Sequence, residues 1–108
     1  MPGADKKRSI QQALVNRILH GPGRASADDR AHAFANADLP EPLRPLLDEV
    51  ATHSARVTDE HFAMATQAGF TDDQLFELVI CAAVGQSTRQ YEAALTALAG
   101  ATANTGTR

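Results

Sequence analysis

A continuous apolar run from Leu78 to Val84 is the feature that most restricts how this chain can fold. Every side of a helix built from this run would be apolar, so the segment is expected in the centre of a helical bundle. Before it, Thr71 and Gln74 have the spacing of a capping box, in which each residue's side chain bonds the other's backbone N–H. Gly69 predicts the stop of the preceding helix, because glycine tolerates a left-handed backbone. The stretch 53–86 therefore predicts a helical hairpin.

Clusters of proline and glycine divide the rest of the chain into further helical segments. No segment shows the alternating pattern of a strand. The expected fold is all-α, a single-domain bundle of five or six helices. Residues 8–100 are predicted to form the domain, with disordered ends at 1–7 and 101–108. Before the hairpin, the helices are expected at about 8–20, from 26 to about 37, and from 42 onwards.

The segment before Gly69 allows two interpretations. Thr58 is followed by two acidic residues and resembles a new N-cap, which predicts a break between Ser54 and Val57. Alternatively, one helix already starts at Ser54 and runs to Ala68. Only this second arrangement places Ser54, Val57 and His61, at positions i, i+3 and i+7, within about 60° on one helical face.

Charge and cysteine content exclude several classes of function. The net charge is −3, and no Lys or Arg lies between Arg56 and Arg89, which argues against a nucleic-acid surface. No apolar run is long enough to span a membrane, so a cytoplasmic protein is expected. Cys81 is the only cysteine, which excludes an internal disulfide and a cysteine-rich metal site. Its apolar neighbours predict a buried, inert thiol with a raised pKa.

The sequence AGFTDDQLFEL at 68–78 resembles the carboxymuconolactone decarboxylase and alkylhydroperoxidase D superfamily. The Leu/Pro-rich lead-in at 39–50 and the small residues at 82–85, followed by Arg89, are similar as well. The resemblance spans roughly residues 39–95 and implies an all-helical protein that forms a homo-oligomer, for example a trimer or hexamer. An oligomer would also bury the apolar faces that a chain of 108 residues leaves open.

When the glycine of the family pattern is aligned with Gly69, the family's histidine corresponds to His61. Its two cysteines correspond to Ser54 and Val57. The thiol peroxidase branch of the family uses those cysteines, and this chain lacks them. The resemblance therefore implies the fold and one pocket position, without the redox chemistry. The decarboxylase branch relies on acid–base groups and does not need the cysteine pair.

His61 and Ser54 are the candidate catalytic residues. His61 could take a proton from a ligand, with Ser54 orienting that ligand. The simpler interpretation of His61 is a solvated residue in the first turn of a helix, beside Asp59 and Glu60.

Three other side chains are weaker candidates for ligand binding, and each has a simpler explanation. His53 could be a surface residue near the end of a helix. Arg89 could bind a carboxylate or pair with Glu92 or Glu77. Tyr91 could line a pocket or pack with its hydroxyl at the surface. His53 and His61 have no fixed third ligand, so no metal site is predicted, and no cofactor is implied.

These observations lead to three hypotheses. The first is a cysteine-independent protein that binds a small organic molecule in an apolar pocket, where His61 would support decarboxylation or isomerisation of an organic acid. The second is a non-catalytic binding or assembly module on the same fold. The third is a thiol-dependent antioxidant of the alkylhydroperoxidase or peroxiredoxin type, which would require a reactive Cys81.

Overall fold

The computed structural model describes the backbone of residues 2–106 and the side chains of residues 6–102. Within this range the chain forms five α-helices, a single-turn 3₁₀ helix and no strand, which confirms the all-α prediction. The α-helices are α1 Pro2–His20, α2 Ala27–Ala35, α3 Arg44–Thr52, α4 Asp59–Gln67 and α5 Asp72–Gly106, and the 3₁₀ helix is Ser54–Arg56.

The outer helices extend beyond the predicted domain at 8–100. Helix α1 begins at Pro2, and α5 continues for 35 residues to Gly106. A helix of that length is about 50 Å long, close to the longest dimension of the molecule, 59 Å. No proline follows Gly100 to end the helix. Met1, Thr107 and Arg108, which belong to the ends predicted to be disordered, lie outside the described residues.

Capping interactions at the turn between α4 and α5 confirm the predicted hairpin. Gly69 has φ +107°, and its N–H donates to the carbonyl of Thr66, as in a Schellman motif. The Thr71 hydroxyl accepts from the N–H of Gln74 at 3.2 Å, and the Gln74 side chain accepts from the N–H of Thr71 at 2.9 Å. Both residues of the predicted capping box therefore hold the start of α5.

The break between α3 and α4 lies where the first interpretation placed it. The 3₁₀ turn ends at Arg56, and Val57 has an extended backbone with ψ 131°. Thr58 is the N-cap of α4. The alternative, a helix running from Ser54 to Ala68, is wrong because a local cap at Thr58 starts a new helix instead.

Two helix ends differ from the prediction by about two residues. Helix α2 ends at Ala35 instead of about 37, because Asn36 adopts a left-handed conformation with φ 51°. Asparagine tolerates this conformation better than most residues. Helix α3 begins at Arg44 instead of 42, with Pro45 in its first turn, where a missing N–H costs little.

One face of α5 lies in the core, against α2 and α3. The expectation that the run 78–84 is buried on every side is only partly correct, since Ala83 is exposed and Val79 is half-buried. At Gly85, an added Cβ would lie 2.9 Å from the Cα of Phe34, so α2 and α5 approach closely there. The largest fully buried side chains of the core are Leu43, Leu46, Leu47, Leu75, Leu78 and Cys81.

Helix α1 lies along α5 in the opposite direction. Two contacts establish this arrangement: the Gln11 amide donates to the Thr88 hydroxyl at 2.9 Å, and the Cys81 thiol lies 3.9 Å from the carbonyl of Ile18. As the numbering rises along α1, it falls along α5. The C-terminal end of α1 therefore lies beside the first third of α5 and close to the start of α2.

Candidate functional site

The two candidate catalytic residues do not share a helical face. Ser54 is exposed in the 3₁₀ turn, whereas His61 is half-buried in the first turn of α4. The Nδ1 atom of His61 accepts from the backbone N–H of Thr58 at 2.9 Å and lies 3.1 Å from its hydroxyl. His61 thus occupies the position that Glu or Gln takes in a capping box, and one of its ring nitrogens caps the N-terminus of α4.

The three weaker candidates lie at separate places on the surface. His53 is exposed at the C-terminal cap of α3, with Nδ1 3.1 Å from the Thr52 hydroxyl. Arg89 donates from Nη1 to the carbonyl of Phe34 at 2.6 Å and from Nη2 to the Gln86 side chain at 3.0 Å, which joins α5 to α2. Its hydrogen bonds therefore go to these groups and not to Glu92 or Glu77. Tyr91 is exposed.

A different group of residues surrounds an apolar pocket next to α1. This pocket, here called the Arg30 pocket, has a volume of about 340 Å³ and lies between α1, the loop after it, α2 and α5. That size is within the range of small-molecule sites. Its lining residues are Leu14, Arg17, Ile18, Gly21, Pro22, Arg30, Glu77, Ile80 and Val84.

Arg30 is the buried charge of this pocket, with only 9% of its surface exposed. Its Nη1 donates to the carbonyls of Gly21 at 2.7 Å and Ile18 at 3.3 Å, at the C-terminal end of α1. Unpaired carbonyls and the helix dipole favour a cation there. The Nε atom is buried, and no described residue accepts a hydrogen bond from it. Arg30 thus lines the pocket and carries, beneath the pocket surface, a charged donor with unused hydrogen-bonding capacity.

Glu77 is the carboxylate of the pocket, and it bonds the loop between α1 and α2. Its oxygens accept from the N–H of Arg24 at 2.8 and 2.9 Å and from the N–H of Ala25 at 2.6 Å. Partial burial raises the pKa of Glu77, but the two backbone donors and the charges of Arg30 and Arg24 together lower it below its ordinary value. Glu77 is therefore a stable anion and a weak proton acceptor.

Cys81 is buried, with 1% of its surface exposed. Burial raises the pKa of its thiol to about 11, and the charge of Glu77 acts in the same direction. The charge of Arg30 opposes this increase only in part. The sequence prediction of a buried Cys81 with a raised pKa is confirmed, and such a thiol is a poor nucleophile at neutral pH.

Sequence reasoning did not identify Arg30 or Glu77 as site residues. An Arg is normally exposed, so Arg30 drew no attention among its polar neighbours. The available signal was its spacing: it lies three residues before Ala33 and four before Phe34, on the face of α2 that packs against α5. Glu77 lies more than 50 residues from Arg24, and no local pattern predicts such a contact.

The described part of the chain contains neither a metal-ligand cluster nor a membrane-spanning helix. No three side chains of His, Cys, Asp or Glu are grouped so that they could hold a metal ion. No helix there is both long enough and apolar enough to cross a membrane.

No family model, curated protein or solved structure matches this chain. The resemblance at 39–95 to the carboxymuconolactone decarboxylase superfamily therefore depends on the sequence motif alone.

Proposed function

We propose that the protein is a cysteine-independent relative of the carboxymuconolactone decarboxylases that binds a small organic molecule in the Arg30 pocket. The observation that supports this proposal is the combination of a volume of about 340 Å³ with largely apolar walls and a buried guanidinium. Small-molecule sites typically combine an apolar lining with a few polar groups in fixed positions. In this proposal the binding site is displaced from the Ser54–His61 region to the junction of α1, α2 and α5.

We rank binding above acid–base catalysis. His61 does not line the Arg30 pocket, and its Nδ1 is used by the cap of α4. Glu77 does line the pocket, but its lowered pKa makes it a weak general base. If the protein is an enzyme, the proposed reaction is decarboxylation or isomerisation of an organic acid, with His61 as the proton acceptor. That reaction would require a second site around α4.

The second candidate function is an assembly module, which one observation favours. Phe76 is 67% exposed and Phe62 is 37% exposed, and together with Val79 they line a second concave surface where α4 meets α5. Exposed aromatic side chains of this kind are typical of protein–protein contacts. A homo-oligomer that buries them is the corresponding proposal. Its test is light scattering of the wild type and Phe76→Glu, and equal masses would oppose it.

The third candidate, a thiol-dependent antioxidant, has the least support. It requires a peroxide to reach Cys81 and a thiolate to attack it. Burial and the raised pKa both oppose this reaction. Intact mass after treatment with an organic hydroperoxide, with Cys81→Ser as the control, tests this directly, since an oxygen adduct that depends on Cys81 would restore the antioxidant reading.

The binding proposal is tested by filling the pocket. A panel of small aryl and alicyclic molecules is screened by ligand-observed NMR against the wild type, Val84→Trp and Ala83→Trp. Val84 lines the Arg30 pocket, whereas its neighbour Ala83 is exposed and provides the matched control. Binding that Val84→Trp abolishes and Ala83→Trp retains is the expected result. The proposal is overturned if no molecule binds, or if both variants bind as the wild type does, with folding checked by circular dichroism.

A further inference from the structure

We infer that Arg30 binds the carboxylate of the pocket's ligand, so that the ligand is a small monocarboxylic acid with an apolar body. This inference rests on the proposed function, because it identifies the chemical class of the molecule that the Arg30 pocket holds. It is drawn from the hydrogen bonds of the guanidinium, the charges around the pocket and the nature of its walls.

The guanidinium has one side satisfied and one side free. Both of its hydrogen bonds within the described part of the chain come from Nη1, to the carbonyls of Ile18 and Gly21. These bonds fix the plane of the group at the end of α1. The Nε–H is left without an acceptor although it is shielded from solvent. A buried donor without a partner is costly, and more so when it carries charge.

A carboxylate is the acceptor that suits this edge of the guanidinium. Arginine offers its N–H groups as a planar fork that matches the two oxygens of a carboxylate. A small shift of the side chain into the pocket would present Nε to such a group while Nη1 retains its carbonyl partners. A neutral amide has one acceptor oxygen and no charge, so it would compensate the guanidinium less well.

The charges around the pocket favour a monoanion. Its lining contains two cations, Arg17 and Arg30, and one anion, Glu77. Glu77 accepts its hydrogen bonds from the backbone of Arg24 and Ala25, whereas the hydrogen bonds of Arg30 go to Ile18 and Gly21. One negative charge on the ligand would balance the excess positive charge. A second carboxylate would have to face Glu77 or an apolar wall.

The remaining walls determine the other end of the ligand. Leu14, Ile80 and Val84 present aliphatic surface, which an aromatic or alicyclic group would cover. Leu14, Arg17 and Pro22 are exposed, which marks the open side of the pocket, whereas Arg30 lies deeper. The acid group would therefore enter first, and the apolar body would fill the space behind it.

The test compares acids with their own amides. The probes are phenylacetate, 4-phenylbutanoate and cyclohexanecarboxylate, each with the corresponding primary amide, titrated into ¹⁵N-labelled full-length protein at pH 7. We expect at least one acid to bind ten-fold or more tightly than its amide and to shift the Nε–H resonance of Arg30. Arg30→Gln should remove the preference for the acid, and Arg30→Lys, which keeps the charge but loses the planar fork, should reduce it. Arg56→Gln, which changes an exposed arginine outside the pocket lining, should retain it.

The outcomes separate this inference from the proposed function. Equal binding of acid and amide, abolished by Val84→Trp, would overturn the role of Arg30 and leave the pocket intact. Failure of every probe to bind, or binding that Val84→Trp does not affect, would overturn the pocket itself. If the Arg30 variants do not fold, the ratio of acid to amide affinity in the wild type and the Nε–H shift still decide the question.

Discussion

The carboxylate of Glu77 accepts a hydrogen bond from the backbone N–H of Ala25 at 2.6 Å, across 52 residues of sequence. The adjacent N–H of Arg24 donates to the same carboxylate. These bonds attach the loop between α1 and α2 to the first part of α5. Because the loop follows α1 directly, they also hold the C-terminal end of α1 near α5. Glu77 therefore maintains the shape of the Arg30 pocket as well as contributing to its lining.

Replacing Glu77 by Gln should weaken this attachment. The amide keeps one acceptor oxygen, but the charge and the second acceptor are lost, and hydrogen bonds to charged groups are the stronger ones. We expect the free energy of unfolding to fall by about 1–2 kcal/mol. Urea denaturation measures the change, with Glu92→Gln, an exposed position on the same helix, as the control. Equal stability of the two variants would show that the loop does not depend on Glu77.

Acid should remove the same stabilisation from the wild type. Because the pKa of Glu77 is lowered in the folded state, its contribution is complete above the unfolded pKa, about 4.3, and is lost as the pH falls through the lower folded value. The wild type should lose more stability between pH 6 and pH 3 than Glu77→Gln does. Thermal unfolding at several pH values gives the comparison. Parallel curves for the two proteins would contradict the lowered pKa.

Local signals in the sequence predict the ends of several helices well. Thr71 with Gln74, Gly69 and the break before Thr58 each depend on contacts between residues fewer than six positions apart. Contacts of this range follow from the conformational preferences of the residues themselves. The end of α5 is different, because 101–106 contains neither a proline nor an apolar pattern, so composition could not decide between a helix and an irregular tail.

The site was harder to predict than the helices. Ser54 and His61 depended on a single continuous helix, and the cap at Thr58 breaks it. Arg30 and Glu77 both form hydrogen bonds to the loop between α1 and α2. The partner of Arg30 is 9 residues away in sequence, and that of Glu77 is more than 50 residues away. Only the packing of α1, α2 and α5 brings these groups together. The residue type alone does not tell whether an arginine is buried or exposed. Its burial depends on which face of α2 packs against α5.

The approach of α2 to α5 at Gly85 should not tolerate a methyl group. An added Cβ would lie 2.7 Å from the carbonyl carbon and 2.9 Å from the Cα of Phe34, which are backbone atoms that cannot rotate away. We expect Gly85→Ala to destabilise the protein by about 1–3 kcal/mol, despite the better helix propensity of alanine. Gly100→Ala is the matched control on α5, because an added Cβ there would have no described atom within 4 Å beyond its own stretch of helix, and it should be neutral or stabilising. Thermal unfolding of both variants measures the difference, and equal effects would contradict the close approach.

The thiol of Cys81 should react slowly until the protein unfolds. With a pKa of about 11, only roughly 0.1% of the thiol is ionised at pH 8, and burial further limits access. We expect the reaction with Ellman's reagent to be at least 100-fold slower in buffer than in 6 M guanidinium chloride. Rapid labelling of the folded protein would contradict the burial of Cys81 and would revive the antioxidant hypothesis.

His61 can be tested separately as a capping residue and as a proton acceptor. Gln is a favoured residue at this position of a capping box, so His61→Gln should keep the bond from the Thr58 N–H and nearly all of the stability. His61→Ala removes that bond and should cost about 0.5–2 kcal/mol, similar to Thr58→Ala. Denaturation of the three variants measures the structural role. If the imidazole also accepts a proton from a substrate, His61→Gln would abolish turnover of an organic acid while the fold persists. Turnover that survives in His61→Gln would exclude the imidazole as the proton acceptor, leaving His61 with its role at the start of α4.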